Sequence, residues 1–579
     1  MRTIQLGTGD DGQTVRIPKS AFQTHFHLIG GTGKGKTTAI HTLLHQLMID
    51  PFEDACFLIV DRLGNLSFEL LMWMASDFCT DDVRKRLVYI EPSNEQHVVG
   101  FNPLLFDTPA HGYYKVSRAT EIILRAWESV NIEAMPRLAR WTFNAFWAAA
   151  QLGLTIADCV HFLLPGSPHH EPLLACLPDR LRFEWQELIS AKGSEVVRIL
   201  ESSRNRLKPY FESDILRRMF GSTANRLDVQ RFMREGKIII LNLAPQNRLS
   251  TQLADAIGAL VLNEILAVAR SLPRGVRYPT YLLLDEFQNF VGPDIEAALP
   301  EVRQLGLRLI LSHQGFSQLE RGDYDLTTMI FQAQNRLIFG VQGEDADLLA
   351  HELASLTFDA RRIKDEIYSR RQLLSGHELI ELKSWSESEG NTESCQSDRG
   401  WSNSSNASLS EREGSPYDTR GRGTGKGESG REGSGRSRSH QSSESRAQHL
   451  KPKYDEFREL ASRTYSSFDE QKNEWAREVR RLKTGEALVR LVDDHRLHRV
   501  KVKRSAAGYL GWPLEKIREE LPEVFDDVDR LIEDNYRSDI FSTPAAIDDE
   551  IDRRIASVLQ SGRSPRALGG GADQEDRFV

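Results

Sequence analysis

The residues between Gly30 and Thr38 have the types and the spacing of a phosphate-binding loop. The run GGTGKGKT fits the pattern GxxxxGK[ST] and ends in Lys36 and Thr37. An apolar segment, HFHLIG, precedes it and apolar residues at helical spacing follow, so the loop joins a strand to a helix. We predict that Lys36 neutralises the phosphates of ATP and that the Thr37 hydroxyl holds Mg²⁺. The residues predicted to surround the nucleotide are Gly30, Gly31, Thr32, Gly33, Lys34, Gly35, Lys36, Thr37 and Thr38.

The pentapeptide GTGKG occurs at 31–35 and again at 423–427. The second copy has Arg420 where the pattern requires glycine and Gly427 where it requires a hydroxyl, and no apolar strand precedes it. We therefore predict that the second copy binds no nucleotide. At the first copy, the spacing selects Lys36, one residue beyond the pentapeptide, and not the lysine inside it.

Two acidic residues end a second apolar segment, YLLLDE. Asp285 is predicted to order Mg²⁺, and Glu286 is predicted to accept a proton from the attacking water. The doubled acid favours a hydrolase over a kinase, whose nucleophile is a substrate hydroxyl. Gln314 ends the next apolar segment, LRLILSHQ, where it would sense the γ-phosphate or orient water. The alternative for Gln314 is an ordinary glutamine at a strand end.

Short apolar runs alternate with helical periodicity in two parts of the chain, which predicts an α/β fold with a mainly parallel sheet. The runs include CFLIVD, LVYIE, KIIILNLA and NRLIFG. Between the two parts, helical periodicity dominates. We predict a first part of the core at 1–111, an all-helical insert at 112–236 and a second part of the core at 237–383.

The remainder of the chain changes character at residue 384. Residues 384–447 are rich in Ser, Gly, Glu, Arg and Asn, and so few apolar residues predict a disordered polar insertion. A charged helix is predicted at 451–482, within a return to the core at 448–505. The last segment, 506–579, is predicted to be a helical tail with a flexible C-terminus.

The order of these motifs resembles that of the FtsK–HerA superfamily of motor ATPases, over roughly residues 20–380 and again near 480–505. The resemblance is nearest to the conjugation coupling-protein (TrwB-, TraD- and TraG-like) and HerA branch. It implies a RecA-like core, a homo-hexameric ring, and ATP-driven movement of DNA through a central channel. Lys36, Thr37, Asp285, Glu286 and Gln314 match the family's nucleotide loop, magnesium, base and strand-end glutamine positions.

The resemblance also points to Arg303, in the run EVRQLG, as an arginine finger that enters the neighbouring subunit's site. Without the resemblance, Arg303 would be read as a surface arginine. The chain departs from the family after the second strand, where a DPHGD-like run reads DRLGN and keeps only Asp61 and Gly64. The HerA barrel and the coupling proteins' membrane-spanning helices are not found either, so a membrane channel would have to be reached through a partner.

The sequence offers few further sites. The candidates for DNA backbone contacts are Arg204, Arg206, Lys208, Arg217 and Arg218, for which a solvated helix face is an equal alternative. His41 and His45 have the i, i+4 spacing of metal ligands but are expected to be a surface pair, because no third ligand is near. The five cysteines show no CxxC spacing and indicate reduced thiols in a cytoplasmic protein.

The bulk properties fit a soluble protein, with 40% hydrophobic residues and a formal net charge of −9, so no global basic field indicates nucleic acid. No segment approaches the about 18 consecutive apolar residues that indicate a membrane span. The main hypothesis is a ring-forming, Mg·ATP-dependent DNA translocase in the cytoplasm, peripheral at the inner membrane if a partner recruits it. The alternatives are an ATPase that energises protein secretion or channel assembly, and an NTPase that partners a nuclease in genome defence.

Overall fold

The computed structural model describes residues 3–561 with a number of gaps. The gaps are residues 51–52, 127–134, 190–192, 247, 274–275, 291–300, 303, 322–323, 326, 331–332, 334, 395–434, 505–508 and 510–511. The described chain divides into two compact units, residues 1–358 with 468–579, and residues 359–467.

An eleven-stranded sheet forms the centre of the first unit. Its strands are β1 Thr3–Gly9, β2 Thr14–Pro18, β3 Phe26–Ile29, β4 Cys56–Asp61, β5 Leu87–Ile90, β6 Ile238–Asn242, β7 Thr280–Leu284, β8 Leu307–His313, β11 Asn335–Ile338, β14 Glu486–Leu491 and β15 Asp494–Val502. Their order across the sheet is β2-β1-β15-β14-β11-β3-β8-β7-β4-β6-β5. The short strands β9 Glu320–Arg321 and β10 Tyr324–Asp325 pair with each other.

The sheet is parallel through its central and distal strands, from β11 to β5. The other four strands pair antiparallel and extend the sheet beyond β11. This arrangement confirms the predicted α/β class with a mainly parallel sheet. Because the central strands are covered on both faces, they read as continuous apolar runs in the sequence.

The helices of the first unit are α1 Lys36–Met48, α2 Asn65–Ala75, α3 Asp81–Arg84, α4 Pro109–Arg125, α5 Pro136–Gln151, α6 Val160–Leu163, α7 His170–Ala175, α8 Asp179–Ile189, α9 Gly193–Glu212, α10 Asp214–Gly221, α11 Val229–Arg234, α12 Thr251–Ser271, α13 Thr327–Ile330, α14 Gly343–Thr357, α15 Phe468–Arg481, α16 Leu514–Glu520, α17 Glu523–Tyr536 and α18 Pro544–Ser561. Short 3₁₀ turns lie at Lys19–Thr24, Ile156–Cys159, Phe287–Phe290 and Phe316–Leu319. Between β5 and β6, the described residues form helices and turns without a strand.

Two large apolar clusters cover the two faces of the sheet. Alternate residues of β4 belong to different clusters, Leu58 and Val60 to one and Phe57 and Ile59 to the other, as the twofold repeat of a strand requires. Helix α12 is the one described helix that is long and apolar enough to span a membrane, and 72% of its most apolar window is buried inside the fold. It supplies Ile257, Leu260 and Ile265 to the first cluster, so it packs as a core helix.

The second unit is a long antiparallel hairpin of β12 Ile363–Ser394 and β13 Gly435–Tyr465. It corrects two predictions. The segments 384–394 and 435–447 were expected to be disordered and are strand, and residues 451–465 were expected to be helix and are also strand, so that the helix begins only at Phe468. Cross-strand main-chain pairing supplies order without apolar burial, which the composition does not reveal. Residues 395–434, which include the second GTGKG copy, lie outside the described part.

The C-terminal helices pack against the rest of the first unit. Asn535 on α17 accepts a hydrogen bond from the Tyr89 main-chain N–H and donates one to the Tyr89 carbonyl, each at 2.9 Å. On α18, Asp548 pairs with Arg217 and Arg218 of α10. These contacts join the segment predicted as a tail to β5 and to the helical region.

Candidate functional site

Sheet register brings the predicted site residues to one edge. Ile29 of β3 lies beside His313 of β8, so Gly30 and Gln314 emerge side by side. Leu284 of β7 lies beside Leu311 of β8 and Val60 of β4, so Asp285 is level with Ser312 and Asp61. Because these strands are parallel, their carboxyl ends meet at the same edge, which is where α/β sheets bind ligands.

The loop between β3 and α1 depends on its glycines. Gly33 and Gly35 have φ of 72° and 107°, which are left-handed values that favour glycine. A Cβ on Gly30 would collide with the Phe339 side chain. The Gly31 N–H donates to the Gly340 carbonyl at 3.0 Å, which ties the loop to the chain after β11. The loop thus follows the tight course that lets main-chain N–H groups surround a phosphate.

Lys36 begins α1 and is buried, and its Nζ donates to the Gly30 carbonyl at 2.5 Å. Burial lowers the pKa of Lys36, whereas the nearby carboxylates of Glu286 and Asp285 raise it. Thr37 and Thr38 follow in the first helical turn, where they are half-buried. The helix N-terminus, the lysine and the hydroxyls therefore lie together beside the two carboxylates.

Glu286 and Gln314 are joined to the loop by hydrogen bonds. The Gln314 amide donates to Glu286 Oε1 at 2.9 Å, and its carbonyl accepts from Thr32 Oγ1 at 3.0 Å. Glu286 Oε2 accepts from Gln288 at 2.6 Å. Glu286 also has a φ of 51°, a value uncommon for a residue other than glycine. Strain of this kind clusters at functional sites, and here it accompanies the predicted base.

Asp285 lies in a strongly perturbed electrostatic environment at this edge. Burial, and then the charges of Asp61 and Glu286, raise the pKa of Asp285 to about 7, against smaller opposite effects of Ser312 and Lys36. Asp61 is fully buried and accepts from the N–H groups of Leu63, Gly64 and Ser67, which shapes the turn after β4. The residue retained in the DRLGN run therefore has a defined place beside the site.

The acidic side chains at this edge of the sheet are suited to bind a cation. Carboxylate and hydroxyl oxygens are ligands that Mg²⁺ prefers, and Asp285 and Thr37 supply both types. The buried Lys36 and the glycine loop suit phosphate oxygens. The residues present thus fit a magnesium-bound nucleoside triphosphate, and the individual roles of Lys36, Thr37, Asp285, Glu286 and Gln314 stay predictions.

His27 and His313 form a buried pair next to Gln314 that was not predicted from the sequence. His27 Nε2 and His313 Nε2 are 2.6 Å apart, and His313 Nδ1 lies 3.0 Å from the Gly315 carbonyl. Burial lowers the pKa of His27 and lowers that of His313 to about 3, so both rings are neutral. His313 then donates from Nδ1 and accepts from His27, which fixes the turn that carries Gln314. The available signal was a polar residue inside each apolar strand run.

The glycine loop is also held by a turn that is distant in the sequence, at residues 484–485. The Gly485 N–H donates to the Lys34 carbonyl at 2.9 Å, and Thr484 Oγ1 donates to the Gly33 carbonyl at 3.3 Å. A Cβ on Gly35 would lie 3.0 Å from Gly485 N, so the two turns touch. No local motif at 484–485 indicates this contact, because it follows from the antiparallel pairing of β14 with β11.

Arg303 lies outside the described residues, and its role stays a prediction. Several other predicted residues have partners outside this cluster. Arg217 and Arg218 pair with Asp548, and Lys208 pairs with Glu212, so these cations face carboxylates. His41 and His45 are buried, which corrects the expected surface pair.

Each of the two buried histidines has an aromatic or acidic neighbour. The His45 ring stacks on Trp73 with centroids 3.9 Å apart, and His41 Nε2 lies 2.7 Å from Glu69 Oε2. Among the described residues, no group of three potential ligands could hold a metal ion. The pair therefore belongs to the packing of α1 against α2.

Two family models match the chain. Residues 12–69 match the type IV secretion-system coupling protein DNA-binding domain, and residues 279–416 match the TraM recognition site of TraD and TraG. The first range contains the glycine loop, and the second contains Asp285, Glu286 and Gln314. Both matched ranges are therefore similar to parts of coupling proteins of the TrwB, TraD and TraG kind.

Solved structures similar to this chain include the bacterial conjugative coupling protein TrwB lacking its first 70 residues, with 14% identity, a TM-score of 0.45, and coverage of 87% of this chain and 89% of that one. The plasmid coupling protein TrwB in complex with ADP and Mg²⁺ is similar at 15% identity, with the same TM-score and coverage. These likenesses are too weak to assign residue roles. No curated protein matches the chain.

Proposed function

We propose that this chain hydrolyses ATP with Mg²⁺ and uses the energy to move DNA during conjugative, coupling-protein-type transfer. The observation that carries the proposal is the meeting of Lys36, Asp285, Glu286 and Gln314 at one edge of the parallel sheet. A buried lysine on a glycine loop, two carboxylates and a hydrogen-bonded glutamine are the groups that phosphoanhydride hydrolysis requires.

Each residue has a role that its surroundings permit. Lys36 would shift from the Gly30 carbonyl to phosphate oxygens, and Thr37 and Asp285 would hold Mg²⁺, which neutralises charge that develops on the phosphates. Glu286 would accept the proton of the attacking water. Gln314, which joins Thr32 to Glu286, would report whether the γ-phosphate is in place. Arg303 stays a prediction as the finger supplied by a neighbouring copy.

DNA is the proposed substrate because the matched family model over residues 12–69 is described as a coupling-protein DNA-binding domain. The description of the second model, a TraM recognition site, supports a TraM-like partner protein that binds within 279–416. We propose a homo-hexameric ring, as the family resemblance implies, in which an arginine finger acting in trans would have a neighbouring subunit at every site.

The test compares ATP hydrolysis with and without duplex DNA in the wild-type protein and in Glu286→Gln. We expect DNA to raise the wild-type rate, and we expect the variant to bind ATP normally while hydrolysis falls by about a hundredfold or more, because a positioned base typically contributes 10²–10⁴-fold. Equal wild-type rates with and without DNA would refute the motor. Normal hydrolysis by the variant would refute the role of Glu286.

The proposed location is the cytoplasm, at the inner membrane when a partner recruits the ring. Fractionation of native cells with and without the transfer-channel proteins tests this location. The protein should sediment with membranes only when the channel proteins are present. Membrane association in cells that lack them would contradict recruitment by a partner.

A further inference from the structure

The β12–β13 hairpin is a two-stranded ribbon of unusual length. Its strands contain 32 and 31 residues, and the pairing runs from Ile363 opposite Tyr465 to Ser394 opposite Gly435. Strands of globular proteins are usually about 5–6 residues long. Among the described residues, the ribbon pairs with no third strand.

Such a ribbon leaves both outer edges unpaired. In an antiparallel pair, about half of the main-chain N–H and C=O groups of each strand point away from the partner strand. An unpaired edge is a template for a further strand, and a two-stranded hairpin alone is marginally stable in water. The main-chain groups on both outer edges of the ribbon could therefore each pair with a further strand.

Apolar side chains on the ribbon are also left uncovered. Tyr368 lies opposite Leu460, Leu374 opposite Tyr454 and Leu379 opposite Leu450, so apolar residues face each other across the strands. All six are at least 41% exposed. A neighbouring strand on either side would cover part of these side chains, since cross-strand and diagonal neighbours contact one another in a sheet.

The two edges carry opposite charge. β12 has seven acidic and four basic residues, a formal net charge of −3, whereas β13 has four acidic and seven basic residues, a net charge of +3. Two identical edges would repel each other, but a β12 edge and a β13 edge attract. Each copy of the chain offers one edge of each kind, and the two edges are of almost equal length.

We propose that β12 of one copy pairs edge to edge with β13 of the next copy, so that the hairpins of a ring join into a closed collar of paired strands. A head-to-tail contact of this kind closes on itself when the rotation between copies permits. The occupant of each edge is a second copy of this chain. The inference rests on the ring of the proposed function and identifies a part of the chain that holds it together.

The test uses charge reversal in the full-length protein. Glu378→Lys with Glu381→Lys changes β12 from −3 to +1, and Lys451→Glu with Lys453→Glu changes β13 from +3 to −1. Each variant alone faces like charges on its neighbours and should form smaller assemblies than the wild type. An equal mixture of the two should recover wild-type size, because each reversed edge then meets an opposite one in the other variant. Mass photometry at several protein concentrations measures the assemblies.

Mixing separates pairing between copies from pairing within a hairpin. Glu378 lies opposite Lys451 in the same hairpin, so a defect inside the hairpin would persist in the mixture. Glu515→Lys with Glu519→Lys, exposed on α16, makes the same charge change outside the ribbon and should leave assembly unchanged. Hydrogen exchange should also be slower along 363–394 and 435–465 in the wild-type assembly than in either variant alone.

Two results would overturn the collar: assemblies of wild-type size from each variant alone, or small assemblies that persist in the mixture. A ribbon whose exchange slows only when a different protein is added would assign the edge to that partner and also refute the collar. DNA-stimulated ATP hydrolysis by the wild type is measured in parallel. Its absence rejects the proposed function, whereas its presence alongside an unaffected assembly rejects only the collar.

Discussion

Lys36 shows how burial and charge prepare one residue for a phosphate. Its ammonium group is buried at the start of α1, where its hydrogen bond to the Gly30 carbonyl and the carboxylates of Asp285 and Glu286 compensate for lost solvation. Phosphate oxygens would replace the neutral carbonyl with an anionic acceptor, which makes a stronger hydrogen bond. The residue is therefore held in place before the ligand arrives.

Substitution of this lysine tests which GTGKG copy is functional. We expect Lys36→Ala to weaken ATP binding by about tenfold to a hundredfold, because a hydrogen bond to a charged group contributes about 1.5–3 kcal/mol. Lys426→Ala, in the second copy, is the matched control and should bind ATP as the wild type does. Calorimetric titration measures both. A loss of affinity in the Lys426 variant would contradict the prediction made from spacing.

The raised pKa of Asp285 predicts a dependence on pH. With a pKa of about 7, the carboxyl keeps its proton below that pH and cannot hold Mg²⁺ well, so magnesium-dependent ATP binding should strengthen as the pH rises through about 7. Titrations at a series of pH values from about 6 to about 8 measure the effect. The terminal phosphate of ATP titrates as well, so Asp285→Asn serves as the reference. Parallel pH profiles in the two proteins would contradict the assignment.

At the scale of elements, the sequence predicted the site through a simple geometric rule. Lys36, Asp285 and Gln314 each follow an apolar run, and parallel strands place such residues at one edge. The rule could not reveal the supports at Gly340 and Gly485, because they depend on which distant strands become neighbours. It also missed the order in β12 and β13, because main-chain pairing leaves no apolar signature.

The Gly485 turn offers a test of the supports. Gly485 and Gly12 have φ of 81° and 76°, so alanine at either position should cost about 1–2 kcal/mol of stability. Only Gly485 touches the glycine loop, so we expect Gly485→Ala alone to weaken ATP binding, while both variants unfold at a lower temperature. Thermal unfolding and ATP titration separate the two effects. Equal affinity in both variants would show that the turn does not hold the loop.

At the scale of the whole molecule, the described C-terminal helices pack against the edge of the sheet and are not a free tail. β5 lies at the end of the eleven-stranded order, and an edge strand of this kind exposes main-chain groups that invite further pairing. The side chain of Asn535 bonds both main-chain groups of Tyr89 and thereby blocks that edge. The sequence predicted helices in this segment but not what they pack against, because the contact joins residues 446 positions apart.

Loss of the Asn535 amide should therefore destabilise the core itself. We expect Asn535→Ala to lower the free energy of unfolding by about 1–3 kcal/mol, because it leaves a buried N–H and a buried carbonyl of Tyr89 without their partners. Asn473→Ala, at an exposed position on α15, is the matched control and should change stability by less than about 0.5 kcal/mol. Denaturant unfolding monitored by circular dichroism measures both variants. If the Asn535 variant were as stable as the control, the C-terminal helices would be an appendage and not part of the cooperative unit that holds the site.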